Sequence, residues 1–351
     1  MTAVLLLSSI EPAGKTALAA ALMKNLMGKG KKVGYFVPLE IKEQKAHKYQ
    51  DAKMVGDMLG LEQGCQTAPP LQISTMDLWN SLSEDSADLL GKIRDGFNSM
   101  AGDKDIVLIE GLSGLTLNGA STLSCYKLSE LFSAPVIILQ RYAEGLNPNK
   151  LVKVRQELGS RLSGVIVNFV PQHEITRLSQ ELEVAFSRIG IKLLGTIAED
   201  RDLLGISVAE LARALGGHII TAEESADRQV NNVMLGAMSL DSGTGYFSRK
   251  DNKAAVINSE RSDMQLAALE TSTSCLVLTG ETPPLQAVIY MAESKKIPIV
   301  IVPKKIDEVV RGLEEAFSRS VFNSKHKFYR FQTLSGVLDF SALYRATGLA
   351  L

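Results

Sequence analysis

Cysteine is scarce in this sequence: only Cys65, Cys125 and Cys275, far apart and odd in number. That spacing excludes a disulfide framework and paired metal-ligand cysteines, and it suits a reducing compartment. Charge of one sign is also lacking, since 38 basic side chains stand against 39 acidic ones for a formal net charge of -1. Without a basic excess to neutralise phosphates, no nucleic-acid partner is expected. Long hydrophobic runs are absent as well, none approaching the roughly 18 residues that span a bilayer. The opening run Ala3 to Leu7 lacks a basic flank, is too short for a secretion signal and soon meets Glu11. Together these absences predict a cytoplasmic protein with no membrane partner. Histidine is rare too: His47, His173, His218 and His326 stand isolated, mostly in polar segments, and read as surface or capping residues. The sequence offers no Ser-His-Asp or Cys-His arrangement for nucleophilic catalysis.

At 351 residues the chain exceeds one typical domain, which predicts two. Short apolar runs alternate with helical patterns as far as about residue 215. The runs are AVLLLSS (3–9), KKVGYFV (31–37), DIVLIEG (105–111), APVIILQ (134–140), SGVIVNFV (163–170) and KLLGTI (192–197). Rich in Val, Ile and Leu without polar alternation, they have the composition of strands covered on both faces. Helical segments such as KTALAAALMKNLMGKG lie between them, and this alternation predicts an α/β fold with a parallel sheet and right-handed crossovers. The amphipathic ISVAELARALGG (206–217) closes this half, and a second series follows through VNNVMLGAMSL, KAAVINS, TSCLVLTGE and IPIVIVP. A boundary near 214 gives a first domain of residues 1–213, helices on both faces of its sheet, and a smaller α/β domain of residues 214–351.

In SSIEPAGKTALAAAL (8–22) an apolar strand leads through Gly14, Lys15 and Thr16 into an Ala-rich helix, the context of a phosphate-binding P-loop. In the full form, G-x-x-x-x-G-K-[ST], glycines let backbone amides curl round phosphates, the lysine reaches the terminal phosphates and the hydroxyl holds magnesium. The helix N-terminus adds positive potential. Ser9 stands where the first glycine belongs, and its hydroxyl is expected to tighten the turn. A magnesium nucleotide also needs a carboxylate at the end of a neighbouring buried strand. DIVLIEGLSGL supplies Glu110, followed by Gly111 and Gly114, where the chain can pass close to a ligand. Alone, that acid would read as a solvated strand end; beside Gly14-Lys15-Thr16 it reads as a metal-side group.

The segments SSIEPAGKT, KKVGYFVP, DAKMVGDMLGL, VLIEGLSGL, GVIVNFV and LLGTIAEDRDL occur in the order and spacing of the dethiobiotin synthetase-like P-loop fold, which the first half resembles. The second half, with VMLGAMSLDSGTGYF, AAVINSERSDMQLAALETSTSCLVLTGETPP and IPIVIVPKK, resembles a DRTGG domain. That pairing is similar to the N-terminal, non-catalytic region of long bacterial phosphate acetyltransferases. The resemblance implies ATP and Mg as cofactors, with Gly14, Lys15 and Thr16 as phosphate and magnesium residues and Glu110 and Asp51 as metal-side carboxylates. It places Asn168 at the adenine edge, where an amide can both donate and accept. Without the resemblance, Asp51 reads as a helix N-terminal acid and Asn168 as a turn residue. The resemblance further implies association of nucleotide faces in a homo-oligomer, and a phosphate acetyltransferase or related metabolic enzyme as partner. An acetyltransferase catalytic domain is not expected before Leu351.

Two departures bear on chemistry. Dethiobiotin synthetases carry a lysine just before the proline after the second strand, for the diamine substrate and its carbamate; YFVPLE has Val37 there, so diamine carboxylation is not expected. In the second half, Asn258, Ser259 and Glu260 replace the glycines and aspartate usual before the arginine, while Arg261 and Asp263 stay. Arg261 in an exposed loop can hold an anion, Ser262 or Asp263 can cap the next helix, and Thr279 opens the LTGETPP turn beside them. Two such strand-end loops at a switch point form a small-ligand crevice; read plainly, they are a capped helix and a turn. Three functions stay open: a nucleotide-binding regulator, an ATP-dependent ligase activating a small carboxylate or amine, and a scaffold with a relic loop.

Overall fold

The computed structural model describes residues 2–10, 12–42, 48–61, 71–83, 87–116, 119–236, 243–318, 320, 322 and 324–349, of which 48–52 and 318 by backbone alone. The chain forms two compact units, one of Met1–Glu199 with Phe322–Leu351 and one of Asp200–Val321.

In the first unit the six apolar runs become β1 (Thr2–Ser8), β2 (Val33–Phe36), β3 (Ile106–Ser113), β4 (Val136–Arg141), β5 (Leu162–Val170) and β6 (Leu193–Ala198). They make one sheet of order β2-β3-β1-β4-β5-β6, with every neighbouring pair parallel. Leu5, Leu7, Val107, Ile109, Ile138 and Val167 share a core with helices Thr75–Ser83, Ala87–Ala101, Ala120–Leu131 and Ile175–Arg188. The intervening Leu6, Leu108, Ile137 and Ile166 point to the other face and are equally buried. Both faces are covered, which is why these runs show no polar alternation. Helix α1 (Lys15–Gly28) follows β1. Helices Lys325–Ser335 and Phe340–Ala346 return to this unit, where buried Tyr344 donates to Asn25 Oδ1 at 2.9 Å. Leu338 packs so close to β6 that a Cβ on Gly195 would lie 2.4 Å from its Cδ2. A short parallel pair, Leu39–Ile41 with Leu71–Ile73, has no counterpart in the sequence reading.

The second unit holds β7 (His218–Ile219), β8 (Asn232–Leu235), β9 (Lys253–Asn258), β10 (Thr273–Thr279) and β11 (Ile299–Val302), in the order β7-β11-β10-β9-β8. β7 pairs antiparallel and the other pairs are parallel. Strands β8 to β11 lie side by side in chain order, so each right-handed crossover steps the same way and places its helix on the same face. Helices Gly243–Phe247, Ser262–Leu269 and Gln286–Ser294 accordingly share one core with Ala255, Ile257, Leu276 and Leu278. Helices Val208–Leu215 and Ile306–Ser318 cover Ala254, Val256, Cys275 and Val277 on the other face.

Helix Val208–Leu215 buries Val208, Leu211 and Leu215 in the core of the second unit, and the compact first unit takes in Phe322–Leu351. An amphipathic helix with a glycine stop, here Gly216 at φ 68, reads the same whichever unit it joins. One expectation changes: among the described strands, order does not reverse between β9 and β10, so the switch point expected beside Thr279 is not found there.

Candidate functional site

Ser9, Ile10, Pro12, Ala13 and Gly14 are the described residues between the end of β1 and the start of α1. Gly14 holds the left-handed conformation, φ 91, and a Cβ there would lie 2.6 Å from Asn168 Nδ2. Glycine therefore meets both the backbone and the space requirement. Lys15 is only 4% exposed; its Nζ donates to Ser8 Oγ at 3.0 Å and to Ser113 Oγ. Ser8 Oγ donates to Ser113 Oγ at 2.9 Å. Thr16 Oγ1 donates to Glu110 Oε2 at 2.9 Å, and the buried Tyr35 hydroxyl donates to the same oxygen.

Register explains how β3 delivers two groups to this loop. Leu6 lies opposite Glu110 but Ser8 lies opposite Ser113, so β3 carries one extra residue. At that irregularity a Cβ on Gly111 would come 2.4 Å from Leu7 Cδ2. Strand packing alone thus leaves no room for a side chain at Gly111. Gly114, at φ 99, donates its N–H to Ser8 O at 3.1 Å and closes the strand onto the loop.

Strands β4 and β5 grip the loop from the opposite side of β1. Asn168 Nδ2 donates to Ala13 O at 3.0 Å, and its Oδ1 accepts from Phe169 N at 2.9 Å. Arg141 Nη1 donates to Pro12 O at 3.1 Å, and its guanidinium lies 4.0 Å over the centre of the Phe169 ring. Burial pulls the Arg141 guanidinium below its usual pKa, against the pull of Glu199. Phe169 is left-handed at φ 64, a conformation that costs a non-glycine residue ~1–2 kcal/mol. With the carbonyls of Pro12 and Ala13 turned to these strands, the N–H groups of Ala13 and Gly14 point the other way across planar trans peptides.

Lys15, Thr16 and Glu110 therefore come together as the sequence implied, with Gly14 at the turn. Ser9 is buried, yet its hydroxyl has no partner among the described residues; it does not tighten the turn by a hydrogen bond to them. Asp51 falls in helix Lys48–Leu59, and its side chain lies outside the described residues, as do His47 and Cys65 entirely. Asn168 meets the loop itself. In the second unit Arg261 and Asp263 pair with each other, Nε to Oδ1 at 3.0 Å and Nη2 to Oδ2 at 2.9 Å. That pairing holds the Asp263 carboxyl below its usual pKa and raises the guanidinium. The helix that follows starts at Ser262, with Arg261 at the N-cap position and making no side-chain cap hydrogen bond. Thr279 is buried, its carbonyl accepting from Ser259 N at 2.9 Å. Sequence reasoning missed Ser8, Tyr35, Ser113, Arg141 and Phe169. The available signals were weak: Ser8, Ser113 and Arg141 are polar residues at the last positions of apolar strands, and Tyr35 and Phe169 offered none.

An unpartnered buried hydroxyl at Ser9, a lysine at the mouth of a helix and a hydroxyl–carboxylate pair fit a magnesium-bound phosphate chain. Among the described residues no three His, Cys, Asp or Glu side chains cluster to hold a metal unaided. Magnesium would take Thr16 and Glu110 and complete its shell with phosphate oxygens and water.

The AAA domain family model matches residues 3–207, more than half of the chain. The chain belongs to the AAA domain family. Its second part matches the DRTGG domain over residues 210–316, so a P-loop nucleotide-binding domain is joined to a DRTGG domain. Relatives include the phosphate acetyltransferase of Deinococcus radiodurans, 27% identical over 60% of this chain and 32% of that protein. That of Synechocystis is 21% identical over 84% of this chain and 44% of its own length. The chain thus spans less than half the length of these acetyltransferases. The ATP-dependent dethiobiotin synthetase BioD of Corynebacterium diphtheriae is 26% identical over 53% of this chain and 83% of that protein. Among solved structures, the MinD cell division protein of Aquifex aeolicus aligns at TM-score 0.36 and 16% identity, over 58% of this chain and 84% of that one. The CBS and DRTGG regulatory region of Clostridium perfringens pyrophosphatase, complexed with its activator diadenosine tetraphosphate, aligns at TM-score 0.30 and 17% identity, over 41% and 60%. Among the described residues, no helix of this AAA domain protein is long and apolar enough to cross a membrane.

Proposed function

We propose that this chain is a nucleotide-dependent regulator, in which Mg-ATP on the loop after β1 sets the state of a DRTGG domain that binds a ligand or partner in acetyl-CoA and acetyl-phosphate metabolism. The cluster of Lys15, Thr16 and Glu110 carries the reading. Lys15 neutralises terminal phosphate charge, while Thr16 and Glu110, with Asp51 assigned to the same side, hold the magnesium ion. When bound, that ion supplies further charge neutralisation at the phosphate oxygens. Regulation rather than diamine carboxylation is supported by Val37, which is 1% exposed and offers no charge for an anionic intermediate. The metabolic link is supported by the acetyltransferase relatives, and such an enzyme is the proposed partner. Pairing of two copies at their nucleotide faces, in the cytoplasm, completes the proposal.

Hydrogen exchange of the DRTGG domain, with and without Mg-ATP, tests the reading. Altered protection in helix Ser262–Leu269 or in β10 upon nucleotide addition is the expected result. Protection changes confined to the AAA domain would contradict coupling. ADP release that rises with an added small carboxylate or amine would favour the ligase reading instead.

A further inference from the structure

Helix α1 carries Lys15 and Thr16 at its start, and its far end lines a cavity of about 410 Å³. Residues of helices Lys325–Ser335 and Phe340–Ala346 form the opposite wall. The volume falls within the ~300–1,000 Å³ of small-molecule sites.

The charge of its lining is all of one sign. Lys24 and Lys29 line it and no acidic residue does, on a chain whose formal net charge is -1. Among the described residues neither ammonium group makes an ion pair or a hydrogen bond. Neither is needed to cap α1, because the carbonyls of Leu26 and Met27 already accept from the N–H groups of Lys29, Gly30 and Lys31. Asn25 Oδ1 accepts from the Tyr344 hydroxyl at 2.9 Å, which turns the amide nitrogen away from Tyr344. That nitrogen and the Gln332 amide nitrogen donate to no described residue. All four side-chain nitrogens are donors and none accepts, so together they match an oxyanion. Phe340, stacked on Tyr344 with ring centres 6.2 Å apart, adds an apolar wall for the carbon skeleton of an organic one. At Gly28 the lining is open, since a Cβ there would meet no atom within 4 Å.

We propose that this cavity is a second ligand site of the chain, for a small organic dianion, a dicarboxylate or a phosphate ester, whose charged groups are held by Lys24 and Lys29. It makes no use of the nucleotide loop, so failure of the nucleotide reading leaves it intact.

Methyl NMR of the full chain labelled at alanine, titrated with succinate or with glycerol 3-phosphate in magnesium-free buffer, tests it. Ala21 reports the cavity and Ala13 the phosphate loop. At least one dianion should shift the Ala21 methyl saturably, in the unmodified protein and in Lys15→Ala alike, and the tighter of the two tells carboxylate from phosphate. Lys24→Gln combined with Lys29→Gln should weaken binding about tenfold or more, since one charge contact at 4 Å is worth roughly fivefold even in a water-like dielectric. Lys24→Arg combined with Lys29→Arg keeps both charges and should stay within about threefold. Gly28→Glu, which adds a carboxylate where a Cβ meets no atom, should weaken binding about tenfold without lowering the unfolding midpoint. Overturning results are no saturable Ala21 shift with either dianion, shifts confined to Ala13, loss of the Ala21 shift in Lys15→Ala, or an affinity unchanged in the double Gln variant. An affinity lost equally in the Arg pair would overturn the role given to charge and the proposal with it.

Discussion

Gly14→Ala probes the contact on which the loop geometry depends. The backbone there is left-handed at φ 91, which costs an alanine ~1–2 kcal/mol. The new Cβ would lie 2.6 Å from Asn168 Nδ2, so the amide must leave Ala13 O. That hydrogen bond is worth ~1 kcal/mol net, for a total penalty of about 2–3 kcal/mol. In an Asn168→Ala background no amide stands in the way, and Gly14→Ala should cost only the backbone contribution of ~1–2 kcal/mol. Urea unfolding of the four proteins of this cycle should therefore give a coupling of about 1 kcal/mol, the double variant being less destabilised than the sum of the singles. An equal penalty in both backgrounds would refute the contact, and no penalty in either would refute the backbone assignment as well.

Three further outcomes follow from buried groups. Tyr35→Phe removes a donor to the buried Glu110 carboxylate and should lower stability by about 1–2 kcal/mol in urea unfolding; an unchanged midpoint would show that the hydroxyl is not its partner. Lys253 is fully buried, donates to Thr271 Oγ1 and Ser272 O at 2.8 Å each, and burial pulls its pKa to about 8 from 10.5. Between those two values the unfolded chain keeps the proton that the folded chain has lost, so stability relative to Lys253→Met should rise with pH. The rise is at most about 3 kcal/mol, and a difference that stays flat from pH 8 to 10.5 would contradict the burial. Ser207→Ala removes the capping box with Glu210 at the head of helix Val208–Leu215 and should destabilise the second unit by ~1 kcal/mol, read from its unfolding midpoint.

The strands of the first sheet were legible because burial on both faces leaves an unbroken apolar run, as in VIIL of β4 or VIV of β5. The pair Leu39–Ile41 and Leu71–Ile73 was not, since three residues carry no periodicity. The amphipathic pattern of Val208–Leu215 marks its apolar face but not the core that receives it. At the site, Gly14, Lys15, Thr16 and Glu110 could be read because phosphate chemistry fixes their types and local spacing. Ser8 and Ser113 meet only through a one-residue irregularity in strand register, 105 positions apart in sequence. Arg141 and Phe169 likewise meet across neighbouring strands, and Arg261 pairs with Asp263 two residues away. Contacts made by register leave no trace in spacing along the chain.

The most direct measurement is a calorimetric titration of Mg-ATP into the unmodified protein and into Lys15→Ala, with ADP release followed in the same samples. Saturable binding that disappears in the folded variant, with negligible turnover, is the predicted result. Absence of binding by the unmodified protein would contradict a working nucleotide loop, and substantial ADP release would contradict the regulatory reading.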